Sequence, residues 1–159
     1  MSEIDAYHEA GHALWAVCQG ARVRLVTLEP EPDDVAPRSA ESQVEWPLDG
    51  FTRRELAHRQ IQVALAGPAA EMLHTGEPYH PGFVAAWSED WRVAWKIAEV
   101  LVADDRERLR FLEFQVAELH RQLGRDDLWA ALAAIVDELL AHETVEGTQI
   151  EEIVRYWLA

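Results

Sequence analysis

His8, Glu9, Ala10, Gly11 and His12 spell HEAGH, the pattern in this chain whose residue types and spacing most directly suggest chemistry. On a helix, residues i and i+4 lie one above the other on the same face, so both imidazoles can reach a single zinc ion. Glu9, between them, is the natural general base for a water held by that ion. Two neutral histidines and an acid are the working parts of metal-assisted hydrolysis. The competing reading is a chance histidine pair on an amphipathic helix, and the surrounding elements must decide between them.

The segment has the grammar of a helix. Ser2 and Asp5 resemble a capping box with Asp in the usual Glu position, no proline intervenes, and Ile4, Leu14, Trp15, Val17 and Cys18 are spaced for a helix ending at Gly20. Gly11 costs such a helix about 1 kcal/mol relative to alanine, so its presence points to close packing or a site. Arg22 to Leu28 alternates polar and apolar residues as a strand stopped by Pro30 and Pro32, and Ser42 to Trp46 is a second strand closed by Pro47. These two segments are expected to pair. Between them, the acidic, proline-containing stretch 29–41 reads as a loop.

Further along, Thr52 with Glu55 three residues on opens a long helix to about His74, and Gly76, Pro78, Pro81 and Gly82 mark a loop near 75–87. Ser88 is placed to cap a helix through Leu101. Helices follow over about Asp105 to Leu123 and Asp127 to Glu143, with a last one after Gly147 capped by Thr148. The expected fold is a single domain over 1–159, mainly α with a small two-stranded sheet.

A catalytic zinc wants three protein ligands, and one helical turn supplies two. The metzincin spacing fails, because Trp15 and Cys18 stand where glycine and the third histidine belong. Cys18 is six residues beyond His12 on a continuous helix, which turns it away from the imidazoles, and it reads as a small buried hydrophobe. Glu71, His74, Glu77, His80, Glu89 and Asp90 remain. Asp90 stands out because it falls among core-type residues, between Trp87 and Ala94, where a carboxylate is costly unless paired or metal-bound. Ser88, Glu89 and Asp90 also suit a helix N-terminus through its dipole alone. Trp87, Trp91 and Trp95 recur at helical spacing as a core stripe.

Composition narrows the function classes. With 29 acidic and 14 basic residues among 159, the formal charge is −15, which repels a phosphate backbone and argues against nucleic acid. A 49% hydrophobic content suffices for a real core. No apolar run is long enough to insert in a membrane and no signal peptide is recognisable, so a cytoplasmic protein is expected. The single cysteine permits no intramolecular disulfide.

Several blocks in order resemble the protease domain of the FtsH-type ATP-dependent zinc metalloproteases. HEAGHA (His8 to Ala13) is similar to the family's zinc motif and RVRLVTLEP (Arg22 to Pro30) to its following strand. ALAGPAAEML (Ala64 to Leu73) resembles its Ala-Ala-Glu-Glu helix, SEDWRVAWKIAEVLV (Ser88 to Val102) its Ser-Asn-Asp-led helix, and LLAHETVEGTQIEEI (Leu139 to Ile153) its C-terminal segment. The resemblance spans nearly the whole chain. It implies a helical zincin fold in which Zn2+ is held by His8, His12 and Asp90 and Glu9 is the general base. Glu71 falls on the first glutamate of its block, where it is a candidate to orient a ligand or a helix terminus.

The implied activity is endopeptidase hydrolysis of unfolded or flexible polypeptides. The strand holding Val44 and Glu45 is a candidate edge to which an extended peptide adds. Departures from the pattern include Pro68 in place of arginine and long loops at 29–41 and 74–87, all bordering the expected cleft. With no ATPase module or membrane helix ahead of the motif, the chain is expected not to unfold substrates itself. A separate ATPase or a homo-oligomer is the implied partner. The alternatives are a metal-binding zincin-like domain with a regulatory or binding role, and a helical protein whose motif is incidental.

Overall fold

A helix from Glu3 to Cys18 (α1) carries the HEAGH residues, and a second from Arg53 to Thr75 (α2) lies against it in a seam of small side chains. In this computed structural model, which describes residues 3–29, 41–47, 49–77 and 80–159, the two helices approach closely at that seam. Gly11 explains the approach: a Cβ there would come within 2.6 Å of the Ala66 carbonyl oxygen and 2.8 Å of the Ala70 Cβ. Because the first of these is backbone, the clash has no rotamer by which to relax. Ala10, Ala13, Leu14, Ile61, Leu65, Ala66, Ala69 and Ala70 fill the seam's surroundings with no exposed surface. Each fully buried Leu or Ile contributes about 1.5–3 kcal/mol. The seam thereby fixes the mutual position of every group that α1 and α2 bring to the site.

Local chemistry sets the ends of α2. Thr52 Oγ1 accepts from the Glu55 N–H at 3.1 Å while Glu55 Oε2 accepts from the Thr52 N–H at 3.0 Å, the capping box expected from the sequence. At the other end Gly76, at φ +75°, donates its N–H to the Met72 carbonyl. The helix runs through Pro68, which is buried and has no N–H to offer the Ala64 carbonyl.

The remaining elements are β1 (Arg22–Thr27), β2 (Glu41–Glu45), α3 (Ser88–Ala98), α4 (Asp105–Leu123), α5 (Asp126–His142), β3 (Thr144–Glu146) and α6 (Gly147–Leu158). Two short 3-10 turns, Pro81–Phe83 and Ala85–Trp87, precede α3. One buried cluster joins α1, β1, α2 and α3 to α4, α5, β3 and α6. Among the described residues no helix is long and apolar enough to cross a membrane.

The sheet has three antiparallel strands in the order β2-β1-β3, not the two expected. Leu25, Val26 and Thr27 pair with Glu146, Val145 and Thr144, and the Thr27 and Thr144 hydroxyls meet at 2.7 Å. Only three residues long and wedged between two helices, β3 has no alternation to betray it. On the other side β1 pairs with β2, Val26 opposite Ser42 and Val23 opposite Val44, with an irregularity between Val23 and Leu25. Among the described residues β2 is therefore an edge strand, and it lies against α1.

Two expected caps are corrected. The 3-10 turn Ala85–Trp87 runs straight into α3, so Ser88 has helical dihedrals and its hydroxyl donates back to the Ala85 carbonyl, leaving Trp87 in the N-cap place. The helix ends at Ala98, short of Leu101. In α6 the N-cap is Glu146, and Thr148 is already inside the helix. Gly147 starts it because the Val23 backbone occupies the space a Cβ would need. Ser2, expected to cap α1, lies outside the described residues, as do 30–40 of the acidic loop and Leu48, Pro78 and Tyr79.

Candidate metal centre

Three side chains from two helices converge on one point. His8 and His12 stand one turn apart on α1, and Asp90 comes from the first turn of α3, where its dipole-favoured position brings it against both imidazoles. His8 Nε2 lies 2.8 Å from Asp90 Oδ2, His12 Nε2 lies 3.4 Å from the same oxygen, and the two Nε2 atoms are 3.0 Å apart. A tetrahedral zinc site with bonds of about 2.0–2.1 Å has edges of about 3.3–3.4 Å, so a few tenths of an ångström of opening makes room for the ion. These three residues could hold a metal ion. Their side chains are 12%, 11% and 24% exposed, which leaves Asp90 as the solvent-facing member.

The groups behind the imidazoles decide which nitrogen faces the centre. His12 Nδ1 lies 2.7 Å from the Val63 carbonyl oxygen, which can only accept, so Nδ1 carries the proton and the Nε2 lone pair is available to a metal. His8 Nδ1 lies 2.7 Å from Glu71 Oε1, and the same reasoning applies to that carboxylate. Glu71 therefore orients His8, one of the three residues that could hold a metal ion. The carboxylate-histidine arrangement also raises the basicity of the imidazole toward a cation.

Gly67 completes the seat of His12. A Cβ at position 67 would press on the imidazole, 2.6 Å from Cε1 and 2.8 Å from Cδ2 and nearer still to Nε2. Gly67→Ala should therefore preserve or raise helix content, since alanine is favoured by about 1 kcal/mol in a helix, while displacing a ligand. Zinc affinity is expected to fall by about tenfold or more, as for other disturbances of ligand orientation. Competition with a chromophoric chelator reads this directly, and unchanged affinity would contradict the assigned seat.

The electrostatics favour a cation at this point. Burial alone lowers the basicity of His8, but hydrogen bonds to Asp90 and Glu71 and the charges of Asp90 and Glu9 outweigh it and push the imidazole up to about 10. His12 is likewise raised, burial being outweighed by the Asp90 charge and hydrogen bond against an opposing contribution from His8. For Asp90, burial pushes up, and the charges and hydrogen bonds of His12 and His8 pull it well below the usual carboxylate range.

In chelated protein, a histidine held near 10 contributes stability that is fully present below its ordinary value of 6.5 and is lost as pH rises toward 10. A metal ion held by the same nitrogens would displace their protons, so its binding would tighten as pH rises. The gap in Tm between zinc-loaded and chelated protein is expected to widen from pH 6.5 to 9. Calorimetric scans at fixed zinc excess test this, and a narrowing gap would contradict it.

The other candidate ligands are engaged elsewhere. His74 stacks on Tyr7 at 3.8 Å between ring centroids and approaches Glu3 at 3.7 Å. His80 accepts from the Gly82 N–H and lies 3.6 Å from Glu113, and Glu89 pairs with Arg92 at 2.6 Å. Glu77 is not among the residues grouped at the centre. Cys18 is exposed at the end of α1, a correction to its reading as a buried hydrophobe, because the helix stops there and a turn follows. Trp87 is buried and Trp91 and Trp95 pack on the core, as a structural stripe should.

Glu9 is buried beside the ligands, and its Oε2 accepts from the Ser42 hydroxyl at 2.5 Å. A cavity of about 660 Å³ opens in front of it, lined by His8, Glu9, His12 and Asp90, by Ser42, Val44 and Trp46 from the β2 side, and by Val63, Val93 and Ile97. Ser42, the Val63 carbonyl and Gly67 were not singled out from sequence. The signal that could have found Gly67 is a glycine inside the helix expected to run to His74, whereas the other two leave none. No family model and no curated protein sequence matches the chain.

Proposed function

We propose that this chain is a zinc-dependent endopeptidase, similar to FtsH-type protease domains, that hydrolyses unfolded or flexible polypeptides. The observation that carries the reading is the convergence of His8, His12 and Asp90 with each histidine's far nitrogen already bonded, and with Glu9 facing the same cavity. A zinc ion held there supplies a Lewis acid that polarises a peptide carbonyl and lowers the pKa of a water toward about 7. Glu9 takes the proton of the attacking water and passes it to the leaving amine. Val63 and Glu71 keep the two imidazoles turned toward the centre throughout. The apolar wall of Val44, Trp46, Val93 and Ile97 receives a substrate side chain and keeps bulk water from it.

The substrate backbone adds to the open edge of β2. Such binding needs an extended segment and reads main chain more than side chains, which suits unfolded polypeptide. Zinc-loaded protein is expected to cleave an unstructured polypeptide, with cleavage stopped by chelation and restored by zinc. Residues of an edge strand alternately face the ladder and the open side, so one of the adjacent positions Val44 and Glu45 offers its N–H outward. Of Val44→Pro and Glu45→Pro, the outward-facing one should cut cleavage while keeping zinc and fold, and the other should lower Tm. Full cleavage in both variants would exclude edge addition, and stoichiometric zinc without cleavage would leave a binding role.

A further inference from the structure

We infer that Ser42 is the positioning residue for Glu9, an inference that rests on the peptidase reading for its catalytic consequence. Its hydroxyl donates to Glu9 Oε2 at 2.5 Å and is also 3.1 Å from the Glu9 backbone carbonyl oxygen, so one side chain grips both ends of that residue. Glu9 is 8% exposed, and a buried carboxylate without a donor is costly. With Oε2 occupied by the serine proton, Oε1 is the oxygen left to receive a proton from the reacting water. The fixed carboxylate cannot rotate toward the imidazole side of the cavity, which preserves the geometry that proton transfer requires.

Ser42 belongs to β2, not to the helix that carries the base. It pairs with Val26 in the sheet and stands two residues from Val44, on the same strand face and lining the same cavity. The strand that would receive the peptide therefore also holds the base. A substrate that straightens or shifts β2 moves the hydroxyl and, with it, the carboxylate. Peptide binding at the edge and proton transfer at the centre are coupled through this one hydrogen bond.

Two measurements on the whole chain test the assignment. In zinc-loaded protein, Ser42→Ala should lower kcat by about 10- to 100-fold with KM nearly unchanged and one zinc retained, whereas Ser42→Thr, which keeps the hydroxyl, should stay close to the parent. Independently of activity, the fall in Tm caused by Ser42→Ala in chelated protein should shrink by at least about half in a Glu9→Ala background, because the partner is already gone. Equal falls in both backgrounds, or an unchanged kcat in Ser42→Ala, would overturn the positioning role. Coupled Tm values in a chain that binds zinc yet cleaves nothing would uphold the Ser42–Glu9 link and instead overturn the peptidase reading.

Discussion

Glu9→Gln is expected to reduce kcat on an unstructured polypeptide by about 10²- to 10⁴-fold while the protein keeps one zinc ion. Gln is isosteric with Glu and its amide oxygen can still accept from Ser42, so the packing of α1 against α2 and β2 is preserved. What is lost is the capacity to take a proton. Since Glu9 is not among the converging donor atoms, zinc titration of the variant should superimpose on that of the parent. Single-turnover cleavage with matched zinc content checks both halves of the expectation. A kcat within tenfold of the parent would remove Glu9 from the base role, and zinc loss in the variant would place it among the ligands.

The second large effect is on metal affinity. Asp90→Ala removes the one anionic donor from a centre otherwise made of two imidazoles, and zinc affinity is expected to drop by more than about 100-fold. Glu71→Ala removes a group that acts through His8 and should cost about 10- to 100-fold, less than the loss of a ligand. The order of the two variants is the informative result. If Glu71→Ala weakened zinc more than Asp90→Ala, the carboxylate on α2 and not the one on α3 would be the third ligand. Competition against a chelator of known affinity resolves this order.

Much of the architecture was legible because its signals are local. The capping box at Thr52 and Glu55, the i, i+4 histidines and the glycine at position 76 each act within a few residues, and the helices they delimit are present. Asp90 was legible for a different reason: a carboxylate among core-type residues conflicts with its neighbours unless something binds it. The misplaced cap at Ser88 shows the limit of local signals, since a 3-10 turn set by the preceding segment moved the helix start. β3 escaped because its pairing with β1 spans more than a hundred positions and its three residues carry no pattern.

Around the metal centre, what the sequence could not reveal are contacts made by backbone or by distant chain. The Val63 carbonyl that turns His12 has no side-chain signature at all. Ser42 meets Glu9 across 33 positions and reads, in sequence, as an ordinary strand residue. Glu71 was visible as a candidate, but its choice between helix end and ligand required the 2.7 Å contact to His8 Nδ1. Gly67 is needed because His12 fills the place of its side chain, a relation that exists only once α1 and α2 have packed.

Crystals of zinc-loaded protein, measured with anomalous scattering above and below the zinc absorption edge, test the metal centre most directly. One edge-specific peak is expected per chain, within about 2.0–2.2 Å of His8 Nε2, His12 Nε2 and an Asp90 carboxylate oxygen. No peak at this point, or a peak held by the two histidines with Asp90 outside bonding distance, would contradict the site.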